Sequence, residues 1–457
     1  MPAKLTPREV WTSDEGTMAR ETALTRWPKI MQTMIDDVET TFSQSENAEH
    51  VGEGRRIQAS LRIMKEEIMG DKPLHPLNSD GGADIEGYNA QLAGFGHITW
   101  HNCPWMFAEC YLYRFVQTLF ARSQLWRNYD IFARQKLSAF LASHAAVEEL
   151  SERYMSLAES LTTNPDPKAA ELAFTELTSI ALWGNATDLS LHPDINDQSK
   201  LQSLQGTHTI QNQDRIVSND LPAVWAYLSR NQAQPQSQHQ QSKEEAPKKH
   251  IAIILDNTGF ELFTDLLHTL LLLDLHLATT ITLHVKSIPW FVSDVLPHDI
   301  PVLLSALTNS TLFPTSMIAN PAVQAVAGRL REGFDTGKVK VKEDGFWTTG
   351  YGFEEMEGRA PGLWGELRGS EVVVFKGDLN YRKLVGDRRW GYGTPFREAI
   401  GSLGRGGMKI LALRTNKADV CVGVDGEVLE RVEREAPGGE WVRNGRYAVI
   451  SFSDGSD

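Results

Sequence analysis

A chain of 457 residues exceeds what one core usually organises, which points to two or three domains. Its 41% hydrophobic and 23% charged residues are those of an ordinary globular protein, and a net charge of −14 speaks against a general nucleic-acid binder, whose affinity needs a basic footprint. Three cysteines, Cys103, Cys110 and Cys421, support neither a disulfide framework nor a Cys-x-x-Cys metal knuckle, and fit a reducing compartment.

The opening stretch MPAKLTPREVWTSDEG carries no apolar signal region, so a cytoplasmic location is expected, with the nucleus also open to the chain. From residue 17 to about 230 the sequence reads as successive helices. TALTRWPKIMQTMIDDVETTF and RRIQASLRIMKEEIM repeat apolar residues every three or four positions. WMFAECYLYRFVQTLFARS is apolar nearly all round and predicts a buried central helix. Trp100, Trp105 and Trp126 are read as core. The helical domain is therefore set at 1–230. Residues 231–249 are polar, rich in Gln and punctuated by Pro, and predict a disordered linker or surface insertion.

After residue 250 short β-branched runs alternate with helical stretches. HIAIILD, ATTITLHVK, SEVVVFKG and MKILALRT read as strands, while FELFTDLLHTLLLLDLH and AVQAVAGRLREGFDT read as helices. LLHTLLLLDLHLA, the longest apolar stretch, is too short and too interrupted by His and Asp to span a bilayer, so no membrane role is expected. The fold class is α/β: a helical N-terminal domain plus an α/β/α sandwich with a mostly parallel sheet over 250–457. Chemistry in such sheets lies beyond the carboxyl ends of the strands.

Those ends share one character. The first strand runs into Asp256 and Asn257, the second continues through a Pro-Trp turn to Asp294, the third gives Gly377-Asp378-Leu379-Asn380-Tyr381, and the fourth gives Arg414 and Lys417. Oxygen donors of this kind suit a hard divalent cation, and a Gly-containing polar loop beside a Lys suits a phosphate. A helix opening after Gly259 would add its positive end. Taken singly, Asp256-Asn257 is a turn or cap, Asp294 a surface loop residue and Lys417 a solvated charge. It is their joint occurrence at strand ends that points to a site.

LDNTGFELFTDL, PWFVSDV, FKGDLNYRKL and RTNKAD together resemble the damage-control phosphatase family, formerly the domain-of-unknown-function 89 group, in its eukaryotic Arg-Thr-x-Lys form. HNCPWMFAECYLYRF and LWGNATDLSL extend the likeness over most of the chain. The resemblance implies that Asp256, Asn257 and Asp294 are metal ligands, that Glu261 and the 377–381 segment bind substrate, and that Lys417, with Arg414 in its motif, meets the substrate phosphate. Asn185, in GNATD with Asp188, is placed on the substrate side, the plain alternative being a helix end with Gly184 as its left-handed residue. The implied reaction is hydrolysis of small sugar phosphates such as fructose 1-phosphate, with Mn²⁺ foremost and Co²⁺, Ni²⁺ or Mg²⁺ as alternatives. The implied partner is a small phosphorylated metabolite.

Two lookalikes fall away. GFDTGK at 333–338 has three residues between its glycines where a P-loop needs four. LDNTG resembles an aspartyl-phosphate strand end, but Thr258 stands where the second Asp belongs. A competing activity in the resembled subfamily is S-adenosylmethionine-dependent protein-glutamate O-methylation. It is disfavoured because no Gly-x-Gly loop follows the first strand and the donors suit a hard cation with an anion. A non-catalytic module is disfavoured by the intact ligand positions.

Overall fold

The computed structural model describes residues 6–163, 166–184, 213–230 and 249–456. The Asn185 and Asp188 assignments, and the Gln-rich segment up to residue 248, lie outside the described residues.

A seven-stranded sheet organises the described residues. Four strands coincide with the predicted runs: β2 (His250–Ile254), β3 (Thr280–Val285), β5 (Val372–Lys376) and β6 (Ile410–Thr415). They are buried on both faces, which is why they read as continuous apolar runs. β1 (Ile216–Asn219), β4 (Val339–Glu343) and β7 (Ala448–Ser453) complete the sheet in the order β1-β7-β6-β5-β2-β3-β4. Neighbours are parallel except at β6–β7, where Leu411 faces Phe452 and Leu413 faces Ile450 in an antiparallel ladder. β1 adds a strand to the stretch up to residue 230 that reads as successive helices. Its four residues are too few to set up a readable alternation, and its partner is the last strand of the chain.

Strand alternation divides the core into two layers. Ala252, Ile254, Val373 and Phe375 pack with Trp27, Met31, Trp100 and Leu112 of the N-terminal helices. Ile251, Ile253, Val372 and Val374 pack with the helices Pro167–Gly184, Phe260–Asp274 and Pro321–Asp335. The helix Phe260–Asp274 is buried from Phe260 to Leu272 because it lies between the sheet and Pro167–Gly184, which explains its nearly unbroken apolar sequence. The N-terminal helices thus share a core with one face of the sheet.

Topology places the site. The chain runs β2, β3, β4 toward one edge, then returns to lay β5 on the other side of β2. Connections that leave adjacent strands in opposite directions open a crevice at their carboxyl ends. That crevice lies beyond Ile254 and Lys376.

Candidate active site

Asp256 and Asn257 leave β2 with 3% and 4% exposure. The loop after β3 is zipped against them: the Val295 amide donates to the Asp256 carbonyl at 2.8 Å, and the Thr258 amide to the Ser293 carbonyl at 2.7 Å. An antiparallel bridge pairs Asn257 with Asp294, so the backbone itself brings the second carboxylate beside the first. Ser293 Oγ donates to Asn257 Oδ1 at 2.5 Å. This loop is strained. Phe291 and Val292 stand at φ 43° and 71°, and a β-branched residue there costs about 1–3 kcal/mol.

Gly377 leaves β5 at φ 84°, and a Cβ placed on it would sit 1.8 Å from Asp256 Oδ2. Only glycine lets the strand end approach the carboxylate this closely. The predicted polar loop at 377–381 is instead the first turn of a helix, Gly377–Leu384. At about 100° per residue a helix cannot aim all five of these side chains at one point. Asp378 and Leu379 line the cavity. Asn380 turns down onto the sheet, its Nδ2 donating to the Lys376 carbonyl at 2.7 Å and the Leu255 carbonyl at 3.3 Å. Tyr381 is fully buried against Phe396, and its hydroxyl accepts from the Val422 amide at 3.1 Å.

The two motif cations separate in the same way. Lys417 lines the cavity. Arg414 is fully buried, and its Nε donates to Asp378 Oδ1 at 2.7 Å while the Lys417 amide donates to the same oxygen at 3.1 Å. Arg414 therefore orients Asp378. Glu261 also turns to support: it is 0% exposed, accepts from Asn257 Nδ2 at 2.8 Å, and takes Lys376 Nζ on its other oxygen at 2.8 Å. Lys376 also lies 2.8 Å from Asp265. Burial raises the Asp265 pKa, while the two carboxylates hold the Lys376 ammonium above its ordinary range.

Asp256, Asn257, Asp294, Asp378 and Lys417 meet on one small cavity of ≈30 Å³. A model of the damage-control phosphatase ARMT1-like domain matches residues 22–432 of the chain. The chain belongs to this family. Relatives include the damage-control phosphatase ARMT1 of Xenopus tropicalis, 32% identical over 96% of this chain and 97% of that one. The mouse protein of that name is 31% identical, covering 98% of each chain. A crystal structure of a DUF89 family protein from Pyrococcus horikoshii aligns over 94% of this chain and 97% of that one, at 13% identity and a TM-score of 0.42.

Several residues at this cavity escaped the sequence reading. Lys286 directly follows β3, so the strand-end rule would have found it. It is 1% exposed, and its Nζ donates to the Leu255 carbonyl at 2.8 Å and lies 3.1 Å from Asp294 Oδ2. Arg26, Trp105 and Glu109 line the cavity from the N-terminal helices, with Phe291 and Arg382 beside them. Trp100 and Trp126 are core as expected, but Trp105 has a second role. The Arg382 guanidinium lies 3.6 Å from its ring centroid and donates to Glu109 at 2.8 Å.

A second group of donors, Asp130, His298 and Asp299, could also hold a metal ion, with ligand atoms within 4.8 Å of one another. Its two carboxylates already share the Lys136 ammonium, at 3.0 and 2.9 Å. Among the described residues no helix is long and apolar enough to cross a membrane.

Proposed function

We propose that the chain is a metal-dependent phosphomonoester hydrolase acting on small sugar phosphates, fructose 1-phosphate among them. The observation that carries the reading is the meeting of two buried carboxylates, an amide and Lys417 on one cavity at the switch point of the sheet. The relatives' name, damage-control phosphatase, supports the same class of reaction.

The donor set fits a divalent cation. Asp256 and Asp294 are 3% and 1% exposed and line one cavity with Asn257, and buried oxygen donors of this kind suit a hard divalent ion. The space beside Asp256 is kept clear by Gly377, where any Cβ would collide with the carboxylate. Asp256, Asn257 and Asp294 would hold the ion, Mn²⁺ foremost. Bound there, it supplies Lewis acidity toward a phosphoryl oxygen and an acidified water. The chain's own residues do the rest. Glu261, anchored by Lys376, fixes the Asn257 amide. Lys417 attracts the phosphoryl oxygens, and the amino end of Gly377–Leu384 adds its partial positive charge. Arg414 holds Asp378 at the cavity wall, where it can accept a proton or a sugar hydroxyl.

The test is a panel of phosphorylated metabolites offered to chelator-stripped protein and to protein restored with Mn²⁺, Co²⁺, Ni²⁺ or Mg²⁺. Hydrolysis that depends on the added ion and favours sugar phosphates is expected. Tight S-adenosylmethionine binding with no ester hydrolysed under any ion would overturn the reading.

A further inference from the structure

The cavity has two walls. The sheet supplies the metal-type donors and Lys417, and the N-terminal helices supply Arg26, Trp105 and Glu109. Two charges on these walls are committed within the fold. Arg382 is held by Glu109 at 2.8 Å and Asp387 at 3.0 Å, and Asp378 is held by Arg414 at 2.7 Å. Arg26 and Lys417 line the same cavity from different layers of the protein.

Arg26 owes its position to a local irregularity. Residues Thr22–Arg26 form a π-helical turn that runs directly into the helix Trp27–Ser43. Pro28 has no amide hydrogen to give to the turn before it, and the Trp27 amide reaches five residues back to the Thr22 carbonyl. The widened turn sends Trp27 into the core, at 0% exposure, and leaves Arg26 on the cavity side. The buried Thr22 hydroxyl accepts from Arg26 Nη1 at 3.0 Å and steadies the guanidinium. Turns of this kind recur at functional sites because they re-aim one side chain without ending the helix.

Arg26 lines the same cavity as Asp256, Asn257, Asp294 and Lys417, the residues that the phosphatase reading places around the phosphoryl group. We propose that Arg26 is a phosphoryl-binding residue, reaching the substrate from the N-terminal layer at the cavity that Lys417 also lines. The inference rests on the phosphatase reading and adds to it a residue and a direction. The planar fork of a guanidinium grips two phosphoryl oxygens at once, whereas Lys417 acts as a point charge.

The experiment uses the full chain loaded with Mn²⁺: wild type, Arg26→Met and Arg26→Lys, with melting curves to show that each folds. Inorganic phosphate is the binding probe, measured by titration calorimetry. A sugar phosphate and p-nitrophenyl phosphate are the two substrates. Arg26→Met should weaken phosphate binding and lower kcat/KM for both esters in parallel, by roughly 10- to 150-fold, the range for one charge-assisted contact. Arg26→Lys should recover part of the loss, and it carries the test alone if Arg26→Met does not fold. Undiminished phosphate affinity in a folded variant overturns the proposal. So does a loss confined to the sugar ester, which would mean that Arg26 reads the leaving group. A wild-type protein that hydrolyses neither ester overturns the phosphatase reading itself, whatever the variants do.

Discussion

Two clusters in this molecule look alike by residue count. Each contains two buried carboxylates and a buried lysine: Asp256, Asp294 and Lys286 at the strand ends, and Asp130, Asp299 and Lys136 under the helix Asp299–Ala306. The second is built around its own cation. Lys136 Nζ bonds both carboxylates, Asp299 also accepts from the Leu296 amide at 2.8 Å, and His298 closes the outer side at 3.2 Å from Asp130. In the first, Lys286 reaches Asp294 but spends its other contact on the Leu255 carbonyl. Asp256 and Asp294 both face a cavity, beside a glycine that a methyl group could not replace. Carboxylate count does not distinguish a site from a brace. The two differ in where the ammonium sits: Lys136 bonds both carboxylates of its cluster, whereas Lys286 meets one carboxylate and a backbone carbonyl.

That contrast can be broken or sharpened by mutation. The largest effect is expected at the strand ends, where Asp256→Ala or Asp294→Ala should take phosphatase turnover to background while the fold survives. Calorimetry checks the cause, since undiminished Mn²⁺ affinity in both variants would dissolve the assignment. Lys136→Met should do the reverse. Leaving two buried carboxylates without their ammonium costs about 3–5 kcal/mol of stability, read as a lower denaturant midpoint, while kcat per folded molecule stays at the wild-type value. A loss of turnover with stability intact would make the brace a site.

Smaller effects follow. Lys417→Met removes a charge from the cavity wall and should lower kcat/KM by roughly 10- to 150-fold, the equivalent of about 1.5–3 kcal/mol. Mn²⁺ affinity should barely change. An unaltered efficiency would remove Lys417 from the phosphate side. The smallest effect is a pH dependence in the brace. The hydrogen bond to Asp130 raises the His298 pKa against a partial loss from burial. Protonated His298 therefore stabilises the fold fully below its unfolded pKa, and the contribution disappears as pH rises through the folded value. His298 is half exposed, so the amount is below about 1 kcal/mol. His298→Ala should lower the melting temperature at pH 5.5 and leave it unchanged at pH 8.5. An equal loss at both values would show that packing, not charge, is what His298 contributes.

The sequence revealed the backbone of the site better than its side chains. β2, β3, β5 and β6 were legible because strands buried on both faces are written as β-branched runs, and every expected donor was sought at their ends. β4 and β1 were not: VKVKE alternates charges on an edge and IVSN is too short to show a period. Within the motif 377–381, one dimension could not say which way each side chain points. Asp378 and Leu379 reach the cavity, while Asn380 and Tyr381 support it from behind. Glu261 and Arg414 also sit behind the residues that do reach it. Arg26 was invisible for a different reason. In LTRWPK it reads as one more polar position on an amphipathic helix, and only the π turn, decided by local backbone bonding, gives it a direction.

The edge formed by β1 and β7 has a consequence for how the chain is made. Among the described residues β1 pairs only with β7, in parallel, and β7, the last described strand, also covers the outer edge of β6. On a ribosome adding about 5–20 residues per second, β1 waits on the order of tens of seconds for its partner. β1 lacks that partner throughout the interval, and once β6 is made it presents an open edge until β7 follows. A nascent chain stopped just before Ala448 would lose two strands at once, and the exposed edge of β6 is where chaperones or aggregation would act first.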